Sequence, residues 1–354
     1  MRYSKIAMTD IKVSELGFGT WTLATSWWGG KTDEEAISLL REAFDLGVTY
    51  YDTADTYGNG RGERVLAQAF SSSDREKIVI GTKFGYDWKS RVSDKEAGHQ
   101  EAPHDWSLSF LERALYGSLD RLNTEYIDIY QLHNPRLADL EQDHIWTFLD
   151  RAKREGKIRS VGVALGPAIG WREEGSYSMR ERGVDIVQMI YNALELDPGR
   201  ELIKVAQEEG VSLLVRVPHS SGMLEGSYTV DTVFPKDDHR SHRPREWLIN
   251  GLKKIEQLAF LCDAGGKENG GTLAQATLRW VMRSPEVVSA LPNIYNKDQL
   301  YEFSLASDCS DISDEEAARV DSLYESNYGL KRVRESGLSS KHDAADDSKT
   351  VQAR

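Results

Sequence analysis

The sequence is poor in cysteine: Cys262 and Cys309 are the two that occur in 354 residues. They stand far apart and have the spacing of neither a metal site nor a disulfide framework, so we expect two reduced thiols and no metal centre. No apolar run approaches the ~20 residues that cross a bilayer. Residues 1–10 also lack the apolar segment of a secretory signal. These absences predict a cytoplasmic protein without a membrane segment.

Positive charge is scarce as well: 44 Lys and Arg stand against 57 Asp and Glu, which leaves a net charge of −13. An acidic surface repels phosphate backbones and anionic lipids, so nucleic acids and membrane surfaces are not expected partners. What the chain does have is length and apolar content. With 354 residues, 40% of them hydrophobic, it can bury a full-size core in one large α/β domain or in two smaller ones.

Short β-rich runs alternate with amphipathic helical stretches along most of the chain. This alternation predicts parallel strands joined by right-handed crossovers. An open, doubly wound sheet is one solution, but residues 16–20 (LGFGT) lack the third glycine of its fingerprint. We count eight strand-then-helix units, with strands predicted at residues 14–21, 49–54, 77–84, 126–133, 158–165, 184–191, 211–218 and 287–292.

The predicted fold is therefore an α/β protein, a single (β/α)8 TIM barrel over residues 1–333. A β-hairpin at residues 3–13 would cover the barrel floor, and a polar, flexible tail would follow at residues 334–354. Two long loops, residues 85–106 and 219–244, come after the third and seventh strands. They fall on the C-terminal rim, where barrel enzymes carry their active sites.

Four polar residues lie at or just beyond the ends of consecutive predicted strands: Asp52, Tyr57, Lys83 and His133. A free tyrosine has a pKa of about 10, and a neighbouring ammonium favours its phenolate form. Lys83 would supply that ammonium, with Asp52 holding it ionised and in place. His133 would orient a substrate oxygen. Tyr57 would then protonate that oxygen as a general acid.

Each of these residues by itself is more often a structural ion pair or a rim residue, and only their joint occurrence indicates catalysis. A barrel lyase that uses Lys83 as a Schiff base is a weaker alternative. Asp52 argues against it, because ion pairing keeps the amine protonated and poorly nucleophilic.

In these motifs the sequence resembles the aldo-keto reductase superfamily over roughly residues 5–310. The motifs that carry the resemblance are YDTADTYG, GTKFG, LHNP, LGFGTW and TLAQATLRW. The resemblance implies a barrel that binds NAD(P)H without a Rossmann domain. It also implies reversible hydride transfer between the nicotinamide and a small aldehyde, ketone, alcohol or sugar. A redox-sensing, cofactor-binding regulatory subunit with little turnover is the alternative function, and the chain would be a monomer or a homo-oligomer.

The resemblance also assigns binding residues one position at a time. The cofactor-binding set is Gly19, Thr20, Trp21, Asp52, Ala164, Gln188, Arg216, Pro218, Ser221, Gly222, Leu224, Gly226, Asn293, Lys297 and Gln299. The substrate-binding set is Trp21, Trp28, Tyr57, Trp88 and His133.

Two departures from the family pattern concern the nicotinamide. The family usually has a Ser-Asn pair after the fifth strand, where this chain has Ala164 and Leu165. After the seventh strand Arg216 stands where the family often has a tyrosine that stacks on the nicotinamide. We expect Arg216 to lie against the nicotinamide, where its charge would disfavour the oxidised ring. A rim salt bridge is the alternative role.

A third departure concerns the adenosine end of the cofactor, at PNIYNKDQLYEF. Family members that prefer NADP usually carry basic residues in this segment, whereas this chain offers Lys297, with Gln299 where an arginine is common and Phe303 in place of an asparagine. The resemblance favours NADP(H), with NAD(H) as the alternative.

Overall fold

The computed structural model describes residues 1–26, 29–90, 102–166, 171–236, 238–263 and 271–330. Strands β1 and β2 form an antiparallel hairpin, and eight parallel strands then follow one another in sequence order in a second sheet. The strands are β1 (Tyr3–Lys5), β2 (Lys12–Ser14), β3 (Phe18–Gly19), β4 (Tyr50–Asp52), β5 (Val79–Phe84), β6 (Ile127–His133), β7 (Ile158–Ala164), β8 (Ile186–Ile190), β9 (Ser212–Arg216) and β10 (Val287–Leu291).

The sheet closes on itself just before β3. Leu16 forms a parallel bridge with Ala290 of β10. The Gly17 N–H donates to the Ala290 carbonyl at 2.9 Å, and the Ala290 N–H donates to the Glu15 carbonyl at 2.8 Å. Because the first and last strands meet, the sheet is a (β/α)8 barrel and not an open, doubly wound sheet, which confirms the predicted fold.

Helices lie between the strands, and several begin at a residue whose side chain caps the helix, as Thr32 and Glu35 do in a capping box. The helices are α1 (Trp21–Ala24), α2 (Asp33–Asp45), α3 (Arg61–Ala69), α4 (Ser72–Arg75), α5 (Leu108–Leu122), α6 (Leu137–Leu140), α7 (Asp143–Arg154), α8 (Arg172–Arg180), α9 (Gly199–Glu209), α10 (Arg245–Glu256), α11 (Phe260–Asp263), α12 (Leu273–Val281), α13 (Lys297–Ser304) and α14 (Asp314–Glu325). Short 3₁₀ helices cover Trp88–Ser90, Met223–Glu225, His239–His242, Leu305–Asp308 and Asn327–Gly329.

The hairpin closes the barrel floor as predicted. Ile6, Ile11 and Val13 are buried in one cluster with barrel-interior residues such as Tyr50 and Ile129. A second, larger cluster lies between the strands and the surrounding helices. The barrel is therefore packed at its base, and polar chemistry is left to the opposite rim.

The first predicted strand, residues 14–21, is wrong in its extent. The chain leaves the hairpin at Ser14, enters the barrel at Phe18–Gly19 and starts α1 at Trp21. Ser14 marks the change, because its hydroxyl donates to the Leu16 carbonyl at 2.6 Å and accepts from the Thr49 N–H at 2.9 Å. These bonds take the place of ladder bonds.

The sequence interpretation also missed α14, although Ser313 and Glu316 form a capping box at its start. The predicted tail at residues 334–354 lies outside the described residues. Within the ranges described, no helix combines the length and the apolar character that a membrane crossing requires.

Candidate active site

The barrel brings three of the four predicted catalytic residues to one rim. Asp52 ends β4, Lys83 lies next to the end of β5, and His133 ends β6. Their side chains are buried, with 4%, 1% and 8% of the residue surface exposed. Tyr57 follows β4 and is partly exposed. The site is thus a buried polar cluster with the tyrosine at its open side.

Lys83 connects this cluster. Its Nζ donates to Asp52 Oδ1 at 2.5 Å, to the Thr53 carbonyl at 2.7 Å and to Tyr57 Oη at 3.4 Å. Burial opposes the charge of Lys83, but Asp52 and Tyr57 outweigh it and raise the pKa of the Lys83 ammonium. Lys83 is therefore a protonated donor, which argues against the Schiff-base role.

The second carboxylate oxygen of Asp52, Oδ2, also accepts hydrogen bonds. Tyr50 donates its hydroxyl to Asp52 Oδ2 at 3.1 Å, Gln188 its Nε2 at 2.9 Å and Gln131 its Nε2 at 3.4 Å. Donors to both oxygens fix the orientation of the carboxylate. Gln188, predicted to bind the cofactor, thus reaches the same carboxylate as Lys83.

The sequence interpretation did not find Tyr50 and Gln131. The signal was available, because alternate residues of a strand face the same side. Tyr50 precedes Asp52 by two positions in β4, and Gln131 precedes His133 by two in β6.

The His133 ring lies between two tyrosines. Its centroid is 6.0 Å from that of Tyr57 and 5.0 Å from that of Tyr86, and both pairs meet edge to face. Burial, Lys83, Arg216 and His104 lower the pKa of His133 well below its usual value. The ring is therefore neutral at neutral pH and can hydrogen-bond an oxygen without bringing a charge.

The end of β3 lies beside Asp52. Gly19 pairs in register with Asp52, and the Thr20 N–H donates to the Asp52 carbonyl at 2.8 Å. The Thr20 hydroxyl bonds that of Thr53 at 2.8 Å. Trp21 then begins α1. The three positions that resemble the cofactor-binding turn of the family therefore adjoin the cluster.

The residues that depart from the family pattern near the nicotinamide lie at the ends of two strands. Ala164 ends β7, Leu165 follows it, and Arg216 ends β9. Its guanidinium donates to the Leu165 carbonyl at 2.8 Å, and Ala164 and Leu165 are both buried. Arg216 is close enough to His133 to lower the pKa of its imidazole. A main-chain contact thus anchors the guanidinium on the side of the site that lacks the Ser-Asn pair.

The loop after β9 has an unusual backbone. Val217, Ser220, Ser221 and Gly222 all have positive φ, at 55°, 48°, 57° and 89°. Such a conformation is costly for a β-branched residue, and the surrounding contacts must hold it. The Asn192 side chain does so by donating to the Val217 carbonyl at 3.1 Å.

Gly222 is required within this turn. A Cβ there would lie 2.2 Å from Tyr228 Oη, which donates to the Ser221 carbonyl at 2.7 Å. Pro218 and Leu224 are buried on either side, and Gly226 is again left-handed. Main-chain turns of this kind can form concavities that bind anions, and a pyrophosphate is the anion that the family resemblance implies for this segment.

The predicted adenosine segment is held by its own contacts. Asn296 caps α13 by accepting from the Gln299 N–H at 2.8 Å, and Asn293 precedes it after β10. Lys297 forms an ion pair with Glu42 of α2. Gln299 donates its Nε2 to Glu225 Oε2 at 2.9 Å.

Glu225 lies in a buried environment that disfavours its negative charge. Burial raises its pKa to about 7, although Gln299 and Arg240 act in the opposite direction. The lysine of this segment is therefore already paired with an acid, and Gln299 contacts a second acid, from the turn after β9, that ionises near neutrality.

Of the predicted substrate residues, Trp88 lies in the 3₁₀ helix after β5, and Trp28 lies outside the described residues. The indole of Trp88 hydrogen-bonds the buried Asp55 side chain. Burial and then Glu63 raise the pKa of Asp55 well above its usual value. Across the residues described, no group of three or more His, Cys, Asp or Glu could hold a metal ion.

The structure is thus an eight-stranded barrel that carries a buried Asp–Lys pair, a tyrosine and a histidine at its C-terminal rim. The model of the aldo/keto reductase family matches residues 15–325. The chain belongs to that family, whose members are NAD(P)H-dependent oxidoreductases of carbonyl groups.

Known relatives agree with this assignment. The NADH-specific methylglyoxal reductase of Escherichia coli is 28% identical over 333 residues, which cover 92% of this chain and 99% of the relative. The aldo-keto reductase AKR11C1 from Bacillus halodurans, in its holo form, superposes with a TM-score of 0.71 at 25% identity, covering 91% and 96% of the two chains. A probable voltage-gated potassium channel subunit beta from Oryza sativa is 26% identical over 321 residues, 87% of this chain and 92% of the relative.

Proposed function

We propose that the protein catalyses reversible carbonyl reduction with Tyr57 as the general acid and base. The observation that carries the proposal is the position of the Lys83 ammonium. Its Nζ donates to Asp52 Oδ1 at 2.5 Å and lies 3.4 Å from Tyr57 Oη. When Tyr57 gives its proton to a developing alkoxide, the phenol oxygen becomes negative. A fixed ammonium beside it stabilises that charge and needs no rearrangement to do so.

His133 has the complementary role in this proposal. A neutral imidazole near Tyr57 orients the substrate oxygen by a hydrogen bond, and the proton then passes from Tyr57. The bound nicotinamide would supply the hydride. The residues of the predicted cofactor set would hold it, with the left-handed Ser220–Gly222 turn against the pyrophosphate and Arg216 against the nicotinamide. A panel of aldehydes, ketones and sugars with NADH and NADPH tests this function directly.

For the cofactor, the contacts of the adenosine segment support NAD(H) over the NADP(H) that the family resemblance favours. A 2′-phosphate needs a cation, and Lys297 is engaged by Glu42. A nearby negative charge would also disfavour the 2′-phosphate, and the Glu225 carboxyl group accepts a hydrogen bond from Gln299 in this segment. An ionised Glu225 would repel a 2′-phosphate, whereas it would accept a hydrogen bond from a ribose hydroxyl.

This assignment predicts a pH-dependent discrimination between the two cofactors. Because the pKa of Glu225 is about 7, raising the pH from 6 to 8 ionises it. NADPH binding should weaken over that interval by more than NADH binding does. Arg240 and Gln299 face the Glu225 carboxyl, as do Glu302, Tyr228 and Tyr295. The measurement is the Kd of each reduced cofactor by nicotinamide fluorescence across this range.

Glu225→Gln is the matched control, since it keeps the shape and the contact with Gln299 but cannot ionise. The 2′-phosphate itself titrates near pH 6 and contributes equally to both proteins. A steeper pH dependence in the unsubstituted protein supports the role of Glu225. Equal pH slopes in the two proteins would contradict it.

A cofactor-binding regulatory subunit is the second candidate, favoured by the relative named as a potassium channel subunit. The intact Asp52–Lys83–Tyr57 contact favours the enzyme, because a sensor does not need all its members. Many turnovers per active site support the enzyme, whereas a single stoichiometric oxidation of bound cofactor supports the subunit. A cytoplasmic location is part of the proposal, in keeping with Cys262 and Cys309 being thiols.

A further inference from the structure

The His133 ring has a buried nitrogen, Nδ1, that does not help to set the ring's orientation. Its Nδ1 is buried and has no hydrogen-bond partner among the residues that the structure describes. In functional histidines a bond at one ring nitrogen commonly fixes the tautomer and direction of the other. The torsion next to an imidazole is otherwise soft. Packing and main-chain contacts must therefore orient His133.

These contacts come from the loop after β5, whose two ends fold back on one another. The Asp105 N–H donates to the Gly85 carbonyl at 2.9 Å, and Tyr86 pairs with His104 as an antiparallel bridge. The rings of Tyr86 and His104 are stacked, with centroids 4.1 Å apart and planes 24° apart. The two side chains thus form one stacked unit.

This unit contacts His133 at its main chain, its ring and the next residue. His104 donates its Nε2–H to the His133 carbonyl at 2.9 Å. The Tyr86 ring meets the His133 ring edge to face at 5.0 Å. Asn134 donates its Nδ2 to Tyr86 Oη at 2.8 Å and is itself left-handed, with φ of 53°. The peptide that carries His133 is therefore tied at both ends.

We propose that Tyr86 and His104 are positioning residues that aim the His133 imidazole at the substrate oxygen. This rests on the proposed function, since it takes His133 as the residue that orients substrate. Tyr86 limits rotation of the ring, and His104 fixes the peptide from which the ring projects. A displacement of about 1 Å at such a site can cost on the order of 10² in rate.

His104 also affects His133 through charge. After burial, the pKa of His133 is lowered by Lys83, Arg216 and His104, in that order. The groups that face His133 are these three with Tyr57 and Tyr86. Removing His104 while the His133 ring stays buried should therefore raise the pKa of His133.

Two substitutions separate the contributions of His104. His104→Phe keeps the stacked ring and removes the donor, whereas His104→Gln keeps a donor and removes the ring. We expect His104→Phe to lower kcat by about tenfold or more, with the cofactor Kd changed by less than about twofold. His104→Gln should recover part of that loss. Tyr86→Leu, which removes the ring against His133, should lower kcat by a similar factor.

The second readout is the NMR titration of the His133 ring, which needs no turnover. The midpoint should rise in His104→Phe relative to the unsubstituted protein. His144→Phe is the matched control, because His144 likewise donates its Nε2–H to a carbonyl, that of Trp106, at 2.7 Å. It should change neither kcat nor the titration of His133.

Unchanged kcat and an unchanged His133 titration in His104→Phe would overturn the proposal. So would equal losses in His104→Phe and His144→Phe, because a general loss of stability would then explain both. If the unsubstituted protein turns over no carbonyl, the proposed function fails, and the titration of His133 alone still decides whether His104 acts on it.

Discussion

Tyr57→Phe is expected to abolish turnover, with a loss of at least about 10² to 10⁴ in kcat. The substitution removes one oxygen, the one that Lys83 Nζ reaches at 3.4 Å, and keeps the ring that packs against His133. The proton donor disappears while the shape of the pocket persists. The measurement is single-turnover oxidation of bound reduced cofactor by an aldehyde.

Cofactor binding provides the control for this variant. Tyr57 lies at the open side of the cluster and bonds none of the residues in the predicted pyrophosphate turn, so the Kd of the reduced cofactor should change little. A Tyr57→Phe protein that retains a near-normal rate would refute the assignment of Tyr57 as the acid. A protein that loses both rate and cofactor affinity would point to a binding role instead.

Breaking the Asp52–Lys83 pair should have the second large effect, on both stability and rate. Lys83→Met leaves the Asp52 carboxylate buried with three neutral donors, and Asp52→Asn leaves a buried ammonium. Leaving one partner of a buried pair uncompensated costs about 3–5 kcal/mol. Each variant should unfold at clearly lower urea concentration and show no turnover.

The double variant Asp52→Asn with Lys83→Met separates the two effects. It removes both charges, so much of the lost stability should return, because a neutral pair no longer requires compensation. Turnover should stay absent, since no ammonium remains beside Tyr57. Recovery of turnover together with stability would mean that the pair serves the fold and not the chemistry.

The barrel and the positions of its polar rim residues could be predicted from the sequence because both depend on local patterns. A parallel barrel directs every strand end to one rim, so Asp52, Lys83 and His133 had to approach one another wherever the loops ran. The two-residue period of a strand extends the same argument to Tyr50 and Gln131. Among the strands, the first was wrong in its extent, because Ser14 hydrogen bonds replace ladder bonds there.

Contacts between loops were not predictable in this way. His104 reaches the His133 carbonyl only because the two ends of one long loop fold back together. Glu225 meets Gln299 only because the turn after β9 packs on α13. Neither pairing follows from spacing or periodicity, since a loop has no repeat that fixes which of its residues meet.

The sequence by itself determined the barrel, because strand and helix periods act over a few residues. Its motifs at the strand ends carried the resemblance to the family and identified the four residues at the rim. Only the tertiary structure decided which partner each polar group takes. Lys297 is engaged by Glu42, Gln188 reaches Asp52, and Arg216 is anchored on Leu165. The physical reason is that a charge or a donor bonds a partner within a few ångströms, and the packing of segments distant in sequence decides which partner lies within that reach.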